Sequence, residues 1–168
     1  RLVMLGRSAL PERSQWAAVP ADSLPGQRIA AIRALESAGA SVHLLQADVA
    51  DANSLEQALQ RYTAEAWPPI RGVIHAAGTT ENHLALQTDP QAFVRVVAPK
   101  LDGALHLDRL LPDLDAFILF SSVSATIGWP GMANYAAANA GLDALACDRR
   151  ARGLPGLSIQ WGPWEDTG

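Results

Sequence analysis

Five short apolar runs alternate with longer helical patterns along the chain, and this alternation is what most constrains the fold. The runs are LVMLG, SVHLLQAD, RGVIHAAG, DAFILFSS and LSIQWG. Short, nearly continuous apolar runs are typical of parallel strands that are covered on both faces. Parallel neighbours must be joined by crossovers, which helices commonly supply and which are right-handed. The sequence therefore predicts an α/β fold with a doubly wound parallel sheet.

The helical patterns fill the intervals between these runs. They are predicted at residues 27–37, from a Ser54/Gln57 capping box to Trp67, from Thr88 to Leu111 with a kink at Pro99, and at residues 134–150. Residues 11–26 contain three prolines and are predicted to form a long loop, which Trp16 would pin to the body. We interpret residues 1–168 as a single domain.

The composition and charge of the chain argue against several classes of function. With 49% hydrophobic and 18% charged residues, the chain is ordinary for a globular protein with a core. A net charge of −4 gives no basic stripe, and the run Arg149-Arg150-Ala151-Arg152 is predicted to be a solvated helix end, so we expect no nucleic acid partner. No apolar run is long enough to span a membrane. The histidines lack zinc-ligand spacing, which argues against a metal. Cys147 is the single cysteine and is expected to be a buried thiol. A chain without a cysteine pair is typical of a reducing, cytoplasmic location.

Small or polar residues follow every predicted strand. They are Gly6, Arg7 and Ser8; Asp48 and Val49; Ala76, Ala77 and Gly78; Ser121 and Ser122; and Gly162 and Pro163. Each has an ordinary explanation in loop formation, but the carboxyl ends of parallel strands share one edge, where ligands bind. An arginine at a strand end suits the 2′-phosphate of NADP, whereas a carboxylate there would suit NAD. No G-x-G-x-x-G motif occurs in the chain.

Four residues form a candidate catalytic group. Tyr135 and Asn139 lie one turn apart on the last helix, Ser122 ends the preceding strand, and Lys100 comes from the helix before it. A tyrosine phenol has a pKa of ~10 in water, and a nearby ammonium group lowers it. Such a phenol can protonate a carbonyl oxygen that a serine hydroxyl holds, and an amide can hold a water or the lysine. The group therefore predicts carbonyl reduction, although each residue alone has a structural explanation.

The segment FSSVSATIGWPGMANYAAANAGLDALACDRRARGLPGLSIQWGPW resembles the ketoreductase domain of modular type I polyketide synthases, in the short-chain dehydrogenase/reductase superfamily. LGRSALP, ADVAD, GVIHAAG and VVAPKLDGALHL resemble the same family in the same order. In these ketoreductases an asparagine takes the place four residues after the tyrosine, and the lysine comes from the preceding helix. Tyr135, Asn139 and Lys100 follow that arrangement. The resemblance implies a Rossmann-like fold.

The resemblance also implies an activity: NADPH would reduce a β-ketoacyl chain on an acyl carrier protein, beside neighbouring synthase domains. By this resemblance, Tyr135 donates the proton, Ser122 binds the carbonyl, and Lys100 and Asn139 complete the tetrad. The implied cofactor contacts are Arg7 and Ser8 after Gly6 for the 2′-phosphate, Asp48 and Val49 for the adenine edge, Ala76, Ala77 and Gly78 for the ribose side, and Gly162, Pro163 and Trp164 for the nicotinamide end.

The sequence departs from the family pattern in places. The family's first strand and glycine-rich loop are expected before Arg1, so we expect this chain to be an N-terminally incomplete portion of a multidomain synthase. Residues 80–82 are Thr-Glu-Asn where members of one stereochemical class carry Leu-Asp-Asp, and Ile127 stands where the other class carries tryptophan. The alcohol configuration, the acyl chain, the neighbouring domains and the oligomeric state stay open.

Two other functions stay open as well. A catalytically silent ketoreductase-like domain would only scaffold its neighbours in a synthase. A stand-alone short-chain alcohol dehydrogenase would reduce free ketones, but Asn139 at its place after Tyr135 disfavours this alternative.

Overall fold

The computed structural model describes residues 1–84, 86 and 89–164, and the chain divides into two compact units. The first unit comprises Arg1–Asp48, and the second begins at Val49. The strands are β1 (Leu2–Gly6), β2 (Val42–Gln46), β3 (Gly72–His75), β4 (Ala116–Ser122) and β5 (Leu157–Trp161). The α-helices are α1 (Leu24–Ser37), α2 (Ala52–Ala64), α3 (Pro90–Val97), α4 (Gly103–Leu110), α5 (Ser124–Ile127) and α6 (Ala133–Ala151).

In the first unit, β1 and β2 pair in parallel, with Leu2 opposite Val42. Helix α1 connects them, and its Ile29 and Ile32 pack with Trp16 and Val42 in a small core. The predicted loop before α1 contains a 3₁₀ helix at Arg13–Ala18, and Trp16 anchors it as expected, because its ring is buried and Nε1 donates to the Pro11 carbonyl oxygen at 2.8 Å.

In the second unit, β3, β4 and β5 form a parallel sheet in that order. Buried and partly exposed residues alternate along β4, as expected for a strand with one face on the core. The core beneath this face includes Leu55 from α2, Leu107 from α4, Phe117 and Leu119 from β4, and Leu142 from α6. The prediction of an α/β fold with parallel strands is confirmed. The described strands pair as β1–β2 in the first unit and as β3–β4–β5 in the second.

Two predicted helix starts are corrected by their caps. Helix α2 begins at Ala52, because the Asp51 carboxylate accepts hydrogen bonds from the backbone N–H groups of Asn53 and Ser54 at 2.9 and 3.3 Å. The prediction that Ser54 and Gln57 form a capping box at the helix start was therefore wrong. Helix α1 begins at Leu24, because the Ser23 hydroxyl accepts from the Gly26 N–H at 3.1 Å.

The predicted long helix is divided into α3, a π-helical turn at Ala98–Asp102, and α4. Asp89 caps α3 by accepting from the Ala92 N–H at 2.8 Å, and Pro90 lies in its first turn. Thr88, the predicted start, lies outside the described residues. Instead of a simple kink at Pro99, the chain forms the π turn, because proline cannot donate the usual helical hydrogen bond.

The basic end of α6 is partly buried, which corrects the expectation of a solvated run. The Arg149 side chain is fully buried, donates to the Pro155 carbonyl oxygen at 2.7 Å, and lies over the Phe117 ring. It also forms an ion pair with Asp108 of α4. Cys147, expected to be buried, is exposed and accepts a hydrogen bond from Arg150.

We expect Asp108→Ala to destabilise the second unit by about 3 kcal/mol or more, because it leaves the Arg149 guanidinium buried without its carboxylate. Chemical denaturation, read as the free energy of unfolding, measures this loss. The matched control is Arg152→Gln, which removes a partly exposed partner of the same carboxylate and should change stability little. Equal effects of the two substitutions would contradict the assignment.

Of the helices that the structure describes, none combines the length and the apolar character needed to cross a membrane.

Candidate active site

A cavity of about 220 Å³ opens at the carboxyl ends of the strands of the second unit. It is lined by Ala76, Lys100, Phe120, Ser121, Ser122, Tyr135, Trp161, Gly162 and Trp164. Six of these nine residues were predicted from the sequence as catalytic or cofactor-binding, and they come from five separate stretches of the chain. The sheet and the helices that follow its strands therefore bring most of the predicted site of this unit together.

Helix α6 places Tyr135 at its first turn. Gly131, with a φ of 80°, turns the chain before the helix, and within the first turn Asn134 Oδ1 accepts the Tyr135 N–H at 2.8 Å. One turn later Asn139 is fully buried, and its Nδ2 donates to the Tyr135 carbonyl oxygen at 2.8 Å. Among the described residues, Asn139 Oδ1 has no hydrogen-bond partner. Asn139 thus braces the turn that carries Tyr135.

The π-helical turn presents Lys100 to the cavity. Its Nζ donates to the Phe120 carbonyl oxygen at 3.0 Å and lies 5.3 Å from the centre of the Tyr135 ring. The Lys100 stem packs so closely on Gly78 that a Cβ there would lie 2.8 Å from its Cε. Burial lowers the pKa of Lys100 to about 8, because the ammonium loses hydration. The site therefore holds a cation in a position that destabilises its charge.

The two serines that end β4 have different surroundings, since successive side chains of a strand point to opposite faces. Ser122 lines the cavity, and its Oγ accepts a hydrogen bond from the Ser124 N–H at 3.2 Å. Its own hydroxyl hydrogen can still be donated to a ligand. Ser121 is buried and donates to the Asn139 carbonyl oxygen at 3.2 Å. Ser122 is thus suited to bind a ligand, and Ser121 to hold α6 on the sheet.

The remaining predicted cofactor residues lie outside this cavity. In the first unit, Gly6, Arg7 and Ser8 are exposed at the end of β1. The ends of β1 and β2 are tied together, because Gly6 O accepts from the Ala47 N–H at 3.1 Å and Arg7 O accepts from the Gln46 amide at 3.2 Å. Asp48 lies two residues after the end of β2 and is partly buried.

In the second unit, four predicted cofactor residues do not line the cavity: Val49, Ala77, Gly78 and Pro163. Gly78 packs against the stem of Lys100. Ala77 packs against the core, and Val49 is buried in it, with its carbonyl oxygen 3.0 Å from His106 Nδ1. Pro163 is exposed next to the cavity residues Gly162 and Trp164.

Three cavity residues were not predicted as site residues: Phe120, Ser121 and Trp161. The Trp161 ring lies between Phe120 and Trp164, with ring centres 5.3 and 5.0 Å apart. The strand-end pattern contains a signal for Trp161, which immediately precedes Gly162. No local pattern marks Phe120, because its contribution to Lys100 is made by a backbone carbonyl oxygen.

The cavity has the chemistry of a proton-donating site. A phenol, a serine hydroxyl and an ammonium group converge in it, and all three can donate hydrogen bonds to an oxygen that gains negative charge. The rings of Trp161 and Trp164, tilted by 59° to each other, form an aromatic wall beside them. Such a site suits a substrate carbonyl next to a planar group.

Comparisons with known proteins show the family of this chain. The family model described as KR domain matches residues 1–166. The 6-methylsalicylic acid synthase of Penicillium patulum is 42% identical over 170 residues, which cover 100% of this chain and 10% of that protein. The chain therefore spans about a tenth of the length of such curated relatives.

Solved structures of ketoreductases are also similar to this chain. A ketoreductase from the first module of phoslactomycin biosynthesis in Streptomyces sp. HK803 is 39% identical with a TM-score of 0.80, over 100% of this chain and 35% of that one. A ketoreductase domain from the bacillaene assembly line is 34% identical with a TM-score of 0.81, over 99% of this chain and 38% of that one. On this evidence the chain belongs to the KR domain family, the ketoreductase domains of polyketide synthases.

Proposed function

We propose that this chain carries out the NADPH-dependent reduction of a β-ketoacyl thioester to the β-hydroxyacyl thioester. The observation that carries this proposal is the convergence of Ser122, Tyr135 and Lys100 on one cavity, backed by the buried Asn139. The cofactor, when bound, supplies a hydride to the carbonyl carbon. The residues of this chain supply the proton and stabilise the charge on the oxygen.

Each member of the tetrad has a distinct role in this proposal. Ser122 donates a hydrogen bond to the substrate carbonyl oxygen, and Tyr135 transfers its phenolic proton to that oxygen as the C–H bond forms. Lys100 stabilises the tyrosinate that remains. The unpartnered Oδ1 of Asn139, among the described residues, is an acceptor suited to a water or ammonium that returns a proton to Tyr135.

The residues of the site fit a nicotinamide dinucleotide. Trp164 and Gly162 offer a flat ring and an open backbone at the cavity, and Ala76 adds a small side chain. We propose Gly162, Pro163 and Trp164 for the nicotinamide end, Ala76, Ala77 and Gly78 for the ribose side, and Asp48 and Val49 for the adenine edge. Because the Val49 side chain is buried in the core, its backbone is the better candidate for contact.

We propose that Arg7 and Ser8 select NADPH over NADH. Both residues are exposed at a strand end, where a guanidinium group can bind a phosphate bidentately. Arg7→Ala should raise the Kd for NADPH by about 10- to 100-fold and leave that for NADH nearly unchanged. Titration of nucleotide fluorescence measures both values.

Arg28→Ala is the matched control for this prediction, because Arg28 is an exposed arginine on α1 of the same unit. It should leave both dissociation constants unchanged. Equal weakening of NADPH and NADH binding by Arg7→Ala would remove Arg7 from the 2′-phosphate site.

We also propose that the substrate is presented by an acyl carrier protein within a multidomain synthase in the cytoplasm, with this chain as one catalytic domain. The lengths of the relatives support this setting, since the chain matches only about a tenth of a synthase such as that of Penicillium patulum.

The deciding experiment follows NADPH absorbance while the full-length protein meets a β-ketoacyl thioester. We expect oxidation of NADPH and a β-hydroxyacyl product. Nucleotide binding without turnover on any β-ketoacyl thioester would favour a silent scaffold domain. Equal turnover of simple free ketones would favour a stand-alone alcohol dehydrogenase.

A further inference from the structure

His75 ends β3 and is buried, with 3% of its surface exposed. Its Nε2 lies 2.8 Å from the backbone carbonyl oxygen of Lys100. A carbonyl oxygen can only accept a hydrogen bond, so Nε2 must carry the hydrogen. Burial lowers the pKa of His75, since a charged ring would lose its hydration. The ring is therefore neutral near pH 7, with its proton on Nε2 and directed at the Lys100 backbone.

The accepting carbonyl belongs to the π-helical turn, where regular α-helical pairing is interrupted. Gly103, the first residue of α4, follows this turn, and its backbone N–H points toward the carbonyl oxygens of Ala98 and Lys100. A Cβ on Gly103 would lie 3.3 Å from His75 Cε1 and 2.9 Å from a Val49 methyl group. The missing side chain of Gly103 thus lets the imidazole ring pack directly against the turn.

Lys100 is consequently held at two points on neighbouring strands. His75 on β3 binds its backbone, and the Phe120 carbonyl oxygen on β4 binds its ammonium. The pairing of β3 with β4 fixes the distance between these two anchors. If the backbone anchor were lost, the turn could relax, and the ammonium could move away from Tyr135 toward water.

We propose that His75 is a positioning residue that holds the π-helical turn in place and thereby aims the Lys100 ammonium at Tyr135. Its role in the reaction rests on the proposed ketoreductase function, but its effect on Lys100 does not. His75 touches neither the proposed substrate nor the cofactor, and it acts through the lysine.

The test uses a matched pair of substitutions in the full-length protein. His75→Leu fills a similar volume without a donor, whereas His75→Gln places an amide N–H near the position of Nε2. Lys100 is the only lysine in the 168 residues, so peptide mapping after amine labelling reports its reactivity without ambiguity. Labelling at a series of pH values gives the pKa of Lys100 in each variant.

We expect the labelling midpoint of Lys100 to be near 8 in the unmodified protein. In His75→Leu it should rise toward the ordinary lysine value of ~10.4, and in His75→Gln it should stay near that of the parent. For thioester reduction, kcat should fall about 10- to 100-fold in the leucine variant, with KM and the NADPH Kd within about threefold. The glutamine variant should recover most of kcat.

A leucine variant that folds and keeps both the Lys100 midpoint and kcat would overturn the proposal. If it does not fold, His75→Asn takes its place, because the asparagine donor is too short to reach the Lys100 carbonyl oxygen. Shifted labelling in a protein whose parent reduces no thioester would instead contradict the proposed function and leave the role of His75 intact.

Discussion

Tyr135→Phe is expected to lower kcat for thioester reduction by about 10²- to 10⁴-fold, the range by which a positioned general acid accelerates proton transfer. The substitution removes one hydroxyl group from a half-buried ring at the cavity wall. The ring keeps its place, because Asn134 and Asn139 hold Tyr135 only through its backbone N–H and carbonyl groups. The loss should therefore be chemical and not structural.

Two measurements separate these causes. Single-turnover oxidation of NADPH reports the chemical step, and fluorescence titration of NADPH should give a Kd within about twofold of the parent. Tyr62→Phe is the control, because it removes a tyrosine hydroxyl that donates to the Pro68 carbonyl oxygen outside the cavity. It should leave kcat unchanged. Turnover by Tyr135→Phe at the parent rate would remove the tyrosine from the role of proton donor.

Lys100→Met should abolish reduction and at the same time stabilise the fold at neutral pH. Methionine has nearly the length and shape of the lysine stem, which packs on Gly78. Burial lowers the pKa of Lys100 from 10.5 to about 8, a cost of about 3 kcal/mol to the charged folded state. Loss of the hydrogen bond to the Phe120 carbonyl oxygen offsets part of the gain. We expect a net stabilisation of about 1–3 kcal/mol at pH 7.

The pH dependence tests the origin of this stabilisation. Between pH 8 and 10.5 the unfolded chain binds a proton at Lys100 that the folded chain has released. The free energy of unfolding of the parent therefore rises with pH in this window, relative to that of the methionine variant. The advantage of the variant should be largest below pH 8 and disappear above about 10.5. A methionine variant that is less stable than the parent at pH 7 would show that burial of the Lys100 ammonium does not destabilise the folded protein.

The candidate site was largely predictable from the sequence, because its members occupy positions that local patterns define. Ser122 ends an apolar run, and Tyr135 and Asn139 are separated by one helical turn, so strand and helix periodicity indicated where each would lie. Lys100 was assigned to the preceding helix on the same grounds. The structure places three of these residues in one cavity and the fourth directly behind it.

Local patterns failed at one site where a long-range contact decides the outcome and at one helix start. The Arg149 run resembles a solvated helix end, but the guanidinium is buried because Asp108 and Pro155 offer it partners. Asp51 caps α2 in place of the predicted Ser54 capping box, because its carboxylate accepts hydrogen bonds from the N–H groups of Asn53 and Ser54. Both outcomes depend on which groups the folded chain brings within hydrogen-bond reach.

The sequence by itself determined the α/β class and the parallel strands, and it predicted the four residues of the candidate tetrad, because these follow from periodicity and residue type. Only the tertiary structure decided how the tetrad is held. The contacts of Lys100 with His75 and Phe120 join residues 25 and 20 positions apart, and both use backbone carbonyl oxygens. Every residue carries such an oxygen, so no sequence pattern marks the ones that the packing of strands and helices selects.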